Sequence, residues 1–316
     1  MRAVDAIMAA RRAESFTKRS IKASSKQHAL RTAMSMLVLT TLEGKDSAVK
    51  VRGLCRKALQ PLDLPPGRPA PEPPVPHVAA VCVYPTMVPV ACECLAGSGV
   101  KVAAVATGFP SAQYPLDVRL RDCADAIAAG ADEIDMVISR GLFLAGRLDE
   151  VAREIRETRA LCVHPPAGRP AHLKIILETG ELETLDAVRR ASDLAIEAAC
   201  TVPGCAAPAD GEVFIKTSTG KVQPAATMPV TLIMLESIRD AFMASGVRIG
   251  MKPAGGIRTA KQAIAYLVMV KETLGEAWLS PALFRFGASA LANDIARQLL
   301  RMQAGGYSAH YDVSEA

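Results

Sequence analysis

"EVFIKTSTGK", residues 212–221, sets the fold problem in ten letters. Val213, Phe214 and Ile215 form an unbroken apolar run that ends on Lys216; Thr217, Ser218, Thr219, Gly220 and Lys221 follow at once. A run that is apolar at every position, rather than at alternate ones, is the pattern of a strand covered on both faces. An ammonium group at the end of such a strand is costly unless it is paired or used. The small hydroxyls and the glycine behind it read as the start of a loop. The segment is thus a buried parallel strand that delivers a charge to its C-terminal edge.

The same pattern recurs along the chain: "MSMLVLT" (34–40), "VAAVCVY" (78–84), "KVAAVAT" (101–107), "ADEIDMVI" (131–138), "HLKIILET" (172–179), "RIGMKPA" (248–254) and "LFRFGAS" (283–289). Amphipathic stretches lie between these strands. In "GRLDEVAREIRETRAL", Leu148, Val151 and Ile155 share a helical face; in "TAKQAIAYLVMVKETLG", Ile264, Leu267, Val268, Lys271 and Leu274 do so, and Gly275 stops the helix. Eight strands, each followed by a helix, close naturally into an α/β TIM (β/α)₈ barrel. An open doubly wound sheet would show a Gly-rich fingerprint after its first strand, and "LTTLEGKDS" has none. The expected organisation is one domain: an N-terminal helical extension over 1–30, the barrel over 31–303 and a C-terminal tail over 304–316. The Pro-rich segment 61–76 is expected to be a loop ahead of the second strand, with smaller loops at 163–172 and 201–211.

Composition narrows the function. Half of the 316 residues are hydrophobic, which supplies a sizeable core, and a net charge of +5 without a basic run interleaved with aromatics gives no support for nucleic-acid binding. No stretch is long and apolar enough for a transmembrane helix, and "MRAVDAIMAARRAESFTKRS" lacks a secretory apolar region, so a cytoplasmic protein with no membrane partner is expected. The eight scattered cysteines have neither signal peptide nor zinc spacing and read as reduced thiols. The five histidines form no HxH or HExxH motif, so no metal site is expected.

In such barrels, chemistry sits at the C-terminal ends of the strands. Asp135, Lys216 and Lys252 are charged residues in three of the strand segments and are the candidate catalytic set. Free lysine titrates near ~10.4, so at pH 7 only about one molecule in 2,500 is the neutral nucleophile. Burial and a neighbouring ammonium both favour the neutral amine. A neutral amine can attack a carbonyl and form a Schiff base, an electron sink for bond cleavage. Glycine turns before helices, Gly255-Gly256 in "KPAGGIRTA" and Gly287 with Ser289 in "RFGASALAND", are candidate phosphate cradles, with Arg258 and Lys221 adding charge. "TSTGK" is not a Walker A loop, because Ile215 and Val222 stand where that motif needs glycine and Ser or Thr. Cys82 in "VCVYP" faces the interior near the mouth, as a small core residue or as part of the substrate site.

On "VCVYP", "GADEIDMVI", "LKIILETGEL", "VFIKTSTGK", "GMKPAGGIRTA" and "RFGAS", which run in order between residues 34 and 300, the chain resembles the deoxyribose-phosphate aldolase family of class I aldolases. The resemblance implies that Lys216 forms the Schiff base and that Lys252 and Asp135 tune it and relay protons. It further implies reversible cleavage of 2-deoxy-D-ribose 5-phosphate to D-glyceraldehyde 3-phosphate and acetaldehyde, without a cofactor, in carbohydrate and deoxyribonucleotide catabolism. Thr40, Cys82, Thr219, Gly220, Lys221, Gly255, Gly256, Arg258, Gly287 and Ser289 are the expected substrate and phosphate contacts. The partners implied are a phosphorylated sugar and aldehydes; whether the chain forms a homo-oligomer stays open. The sequence departs from the family at Val38, where "DLTTL" is usual, and at Ala290, where "GASS" is usual. Valine cannot accept a hydrogen bond, so its partner is expected to lack one, with a loss of rate. The rival readings are a Schiff-base aldolase for another phosphorylated sugar and a sugar-phosphate-binding barrel with weak or lost activity.

Overall fold

A computed structural model of the chain describes residues 3–64 and 71–304. The strands are β1 (Leu37–Thr40), β2 (Ala80–Val83), β3 (Lys101–Ala106), β4 (Glu133–Val137), β5 (His172–Ile176), β6 (Val213–Lys216), β7 (Gly250–Lys252) and β8 (Phe286–Gly287). Every neighbouring pair is parallel, in the order β7-β6-β5-β4-β3-β2-β1-β8. Bridges Met251–Phe284 and Ala254–Gly287 join β7 to the β8 segment and close the ring. Each strand falls inside the segment expected for it, shortened to the part that makes ladder bonds.

The helices are α1 (Ala6–Thr17), α2 (Ala23–Ser35), α3 (Ala48–Leu59), α4 (Val88–Leu95), α5 (Leu116–Ala128), α6 (Arg140–Leu144), α7 (Leu148–Val163), α8 (Leu185–Cys200), α9 (Met228–Ser245), α10 (Ala260–Leu274) and α11 (Ser289–Ala304). Their ends follow local chemistry. Thr259 caps α10 in a reciprocal capping box with Gln262, and Gly275, at φ +93°, ends it. The face expected for α10 is rotated by about one residue: Ala263, Tyr266, Leu267 and Val270 are buried, whereas Ile264 and Val268 are only half-buried. The reason is a second covering layer. Phe16 and Ile21 of the N-terminal region line a groove with Ile264 and Val268, so α10 has apolar residues on two sides. No helix among the described residues is long and apolar enough to cross a membrane.

Within the Pro-rich stretch, residues 65–70 lie outside the described residues, as does the tail beyond 304. The described part links α3 to β2 without helix or strand and is held by the Arg31 guanidinium, which donates to the Pro73 and Pro74 carbonyls.

Strand parity decides what the barrel encloses. Val38, Ala80, Cys82, Ala103 and Val105 form an interior cluster, while Leu37, Leu39, Val81, Val83, Val102 and Ala104 point outward into the main core beneath the helices. Following the register round the ring places Asp135 beside Val105, Lys174 beside Asp135, Phe214 beside Lys174 and Lys252 beside Lys216. β1–β3 thus give the interior an apolar wall, and β4–β8 give it a charged one. Gly250 is required there, because a Cβ would lie 2.4 Å from the Phe214 ring, which fills the space beneath the lysines.

Candidate active site

Asp135, Lys216 and Lys252, taken from β4, β6 and β7, meet at one atom. The Lys216 Nζ and the Lys252 Nζ each donate to Asp135 Oδ2 at 2.7 Å. The Cys82 thiol, from the apolar wall, faces the same oxygen at 3.9 Å. Asp135 is wholly buried and Lys216 is 4% exposed, so these are charges held out of water. Both lysines have a carboxylate partner, so neither is the group expected to be stranded by Val38. That valine packs into the apolar wall.

A second tier lies beneath. Lys174 Nζ is 2.5 Å from Glu133 Oε2 and 3.9 Å from Asp135 Oδ1, and Arg285 Nη2 donates to Glu133 Oε1 at 3.1 Å. Lys174 and Arg285 both stand over the Phe214 ring, at 5.3 and 6.0 Å from its centroid. The interior therefore sets four cationic groups, Lys174, Lys216, Lys252 and Arg285, against two carboxylates, Glu133 and Asp135. Asp135 Oδ1 and Arg285 Nη1 make no hydrogen bond among the described residues.

The excess of cations displaces the titrations. Burial would raise the Asp135 carboxyl, but Lys216, Lys252 and Lys174 outweigh it and hold it far below the carboxylate range. Glu133 is likewise raised by burial and pulled down by Arg285 and Lys174, to about 2. Burial lowers Lys216; Asp135 opposes that, Lys252 reinforces it, and the net direction is down. Burial lowers Lys252 too, but Asp135, by charge and hydrogen bond and with Glu133 behind it, overcomes it and the net direction is up. Two lysines on one oxygen are thus split, one towards the neutral amine and one towards the ammonium. The Cys82 thiol is raised by burial and then by Asp135, which keeps it protonated.

The loop after β6 is built with equal care. Glu178, buried and in a left-handed conformation at φ +53°, accepts the Thr219 N–H at 3.2 Å and its hydroxyl proton. The Thr219 hydroxyl oxygen accepts the Lys221 N–H at 3.1 Å. Across the mouth, the Ser289 hydroxyl accepts the Thr40 N–H at 2.8 Å, tying the start of α11 to β1. Thr40, Thr219, Gly220, Lys221 and Ser289 line a pocket of about 300 Å³. The other expected phosphate contacts sit differently. Gly255 N–H donates to the Gly287 carbonyl and Gly287 N–H to the Pro253 carbonyl, so both backbone donors serve barrel closure. Gly255 still packs under the β6 loop, 3.8 Å from Gly220 Cα as measured from an added Cβ. Gly256 is exposed, and Arg258 is exposed with its N–H on Gln262. Ala290 is exposed at the first turn of α11.

Sequence reasoning passed over Glu133, Lys174, Arg285 and Glu178. The first three carry the signal that exposed Lys216, a charge inside an apolar strand segment, and strand parity places them on the same interior face.

Comparisons with known proteins give the family and the fold. The chain is 44% identical to the deoxyribose-phosphate aldolase of Homo sapiens over 308 residues, which cover 96% of this chain and 91% of that protein. A crystal structure from Toxoplasma gondii ME49, of the apo form of a protein assigned as a deoxyribose-phosphate aldolase, superposes with a TM-score of 0.68 over 88% of this chain and 98% of that one, at 22% identity. The deoxyribose phosphate aldolase of Aeropyrum pernix, described as a unique tetramer, superposes with a TM-score of 0.58 over 90% of this chain and all of that one, at 19% identity. At such identities the two superpositions show the fold. Residues 28–295 match the DeoC/LacD family aldolase profile, and the chain belongs to that aldolase family.

Proposed function

We propose that the protein reversibly cleaves 2-deoxy-D-ribose 5-phosphate to D-glyceraldehyde 3-phosphate and acetaldehyde through a Schiff base on Lys216. The observation that carries this reading is the convergence of Lys216 and Lys252 on Asp135 Oδ2. The neutral Lys216 amine attacks the C1 aldehyde, and loss of water leaves an iminium. Cleavage of the C2–C3 bond takes the proton from the C3 hydroxyl and releases glyceraldehyde 3-phosphate. The bonding electrons move into the iminium, giving an enamine. Protonation of that enamine at C2 and hydrolysis release acetaldehyde and the free amine.

The displaced titrations support a division of labour. Lys216 is the group lowered towards the nucleophile. Lys252 is raised and holds a proton at the site. Asp135 stays ionised, orients both nitrogens and joins them into one relay. The buried Cys82 thiol and the apolar wall keep water from the amine and enforce its desolvation. The pocket between the β1 and β6 loops is the proposed phosphate site, with Lys221 as its cation and Thr40, Thr219, Gly220 and Ser289 as its walls. Gly255 packs beneath Gly220 of that pocket, whereas Gly256, Gly287 and Arg258 are not among its walls.

Borohydride reduction in the presence of acetaldehyde, followed by mass mapping, tests the mechanism. The expected result is one adduct on Lys216; an adduct on Lys252 or Lys221 would reverse the roles. Parallel assays with deoxyribose 5-phosphate and with free deoxyribose test the substrate, and equal efficiency on the two would remove the phosphate site.

A further inference from the structure

Lys221, the cation of the proposed phosphate pocket, already carries an anion. Its Nζ donates to Glu43 Oε1 at 2.8 Å, across 178 positions of sequence. Glu43 lies in the loop after β1 and Lys221 in the loop after β6, with β7 and β8 between those strands in the ring. The pair therefore spans one side of the mouth, and both residues line the same pocket of about 300 Å³ as Ser289 and Gly220.

Neither end is loose. Asp46 accepts the Glu43 N–H at 2.9 Å, the Thr41 hydroxyl at 2.6 Å and the Lys50 ammonium at 2.7 Å, and its own N–H returns to the Glu43 carbonyl at 3.0 Å. At the other end, the Lys221 backbone is fixed through Thr219 to Glu178. The Glu43 carboxyl is held below its ordinary range, first by its hydrogen bond from Lys221 and then by that residue's charge, so it is an anion at neutral pH. Its side chain is 56% exposed and that of Lys221 is 34% exposed, so the pair opens into solvent and its strength is limited by screening.

From these contacts we infer that Glu43 is an autoinhibitory contact that sets phosphate affinity, an internal carboxylate that a substrate phosphate must displace from Lys221 before the pocket is filled. The inference rests on the assignment of Lys221 as the phosphate cation. A phosphate dianion presents more charge and more acceptor oxygens to Lys221 and to the Ser289 and Thr219 walls than one carboxylate does, so it wins the exchange. A neutral group makes no demand on Lys221 and leaves the latch as it is. Glu43 thereby lowers affinity by one common factor for every anion that takes Lys221 from it, and leaves ligands that do not engage Lys221 unaffected. It does not touch the reacting carbons, so its effect belongs in KM and in competition by anions rather than in kcat.

The test is steady-state cleavage of deoxyribose 5-phosphate, and of unphosphorylated deoxyribose, by Glu43→Gln and Lys221→Met at low and high salt. Glu43→Gln is expected to lower KM for the phosphorylated sugar by about two- to fivefold, the range set by exposed ion pairs. The inhibition constant of inorganic phosphate should fall by the same factor, kcat should be retained, and the gain should shrink as salt rises. Cleavage of unphosphorylated deoxyribose should not change. An unchanged or raised KM in Glu43→Gln, together with a raised KM in Lys221→Met, overturns the latch and leaves the phosphate site standing. An unchanged KM in Lys221→Met overturns the phosphate assignment itself, and the latch with it.

Discussion

Two buried charge clusters in this protein are put together on opposite plans. Between β3, β4, α5 and α7, Arg119 faces Glu154 one to one. Its Nε donates to the Thr107 carbonyl at 2.9 Å, its Nη2 to the Val137 carbonyl at 3.0 Å, and its Nη1 to both Ser139 Oγ and Glu154 Oε2. Glu154 also accepts the Ser139 N–H and hydroxyl at 2.7 Å each. The cluster balances in charge, its donors are used, and it clamps the ends of β3 and β4. Inside the barrel, two carboxylates face four cations, and polar atoms stay without hydrogen bonds. The balanced cluster ties strand ends together; the unbalanced one surrounds an amine at the barrel mouth. In the interior cluster one amine is lowered and its neighbour raised.

The two plans separate under mutation. Lys216→Ala has the largest expected effect, abolishing turnover and trapping. Because it removes an amine already displaced towards its neutral form and leaves Lys252 on Asp135, the thermal midpoint should hold or rise; a sharp fall would show that Asp135 depends on Lys216 for its charge balance. Arg119→Met does the converse. It leaves the Glu154 carboxylate buried without its cation, at a cost of about 3–5 kcal/mol in denaturant unfolding, while kcat per folded molecule stays near that of the parent. A milder loss would place Arg119 outside the framework.

Glu133→Gln reads the lower tier through acid stability. With its folded value at about 2, below the ordinary carboxyl range, Glu133 contributes stability that is fully present above about pH 5 and is lost as pH falls through about 2. The stability gap between parent and Glu133→Gln should therefore close by on the order of 3 kcal/mol as pH drops across that window. A gap that stays constant with pH would mean that Lys174 and Arg285 do not hold the carboxylate. Lys252→Leu removes the like charge and leaves Asp135 to Lys216 alone, so both changes raise Lys216. The ascending limb of the pH–rate profile should move to the alkaline side, and cleavage at pH 7 should slow by on the order of 10²-fold. A profile that keeps its position would show the two nitrogens to be uncoupled.

The barrel was legible in the sequence because its strands are apolar at nearly every position, and the ring then follows from the alternation with helices. Asp135, Lys216 and Lys252 were legible because charge in such strands is costly. Lys174 and Glu133 carried the same signal one tier lower, but attention to strand ends alone passes over them; parity along the strands would have found both. The buried face of α10 was displaced because Phe16 and Ile21 cover its outer side, a contact between parts of the chain too far apart in sequence for helical periodicity to report. Glu43 was illegible for a related reason. It sits in a polar loop, and only closure of the ring brings it to Lys221.

The measurement that bears most directly on the central claim is the pH dependence of acetaldehyde trapping by borohydride, mapped residue by residue in the parent and in Lys252→Leu. The account predicts that the parent adduct lies on Lys216, that its trapping midpoint lies below the ordinary lysine value near ~10.4, and that the midpoint rises in Lys252→Leu. A midpoint at the ordinary lysine value, or one that does not move when Lys252 is removed, would contradict it.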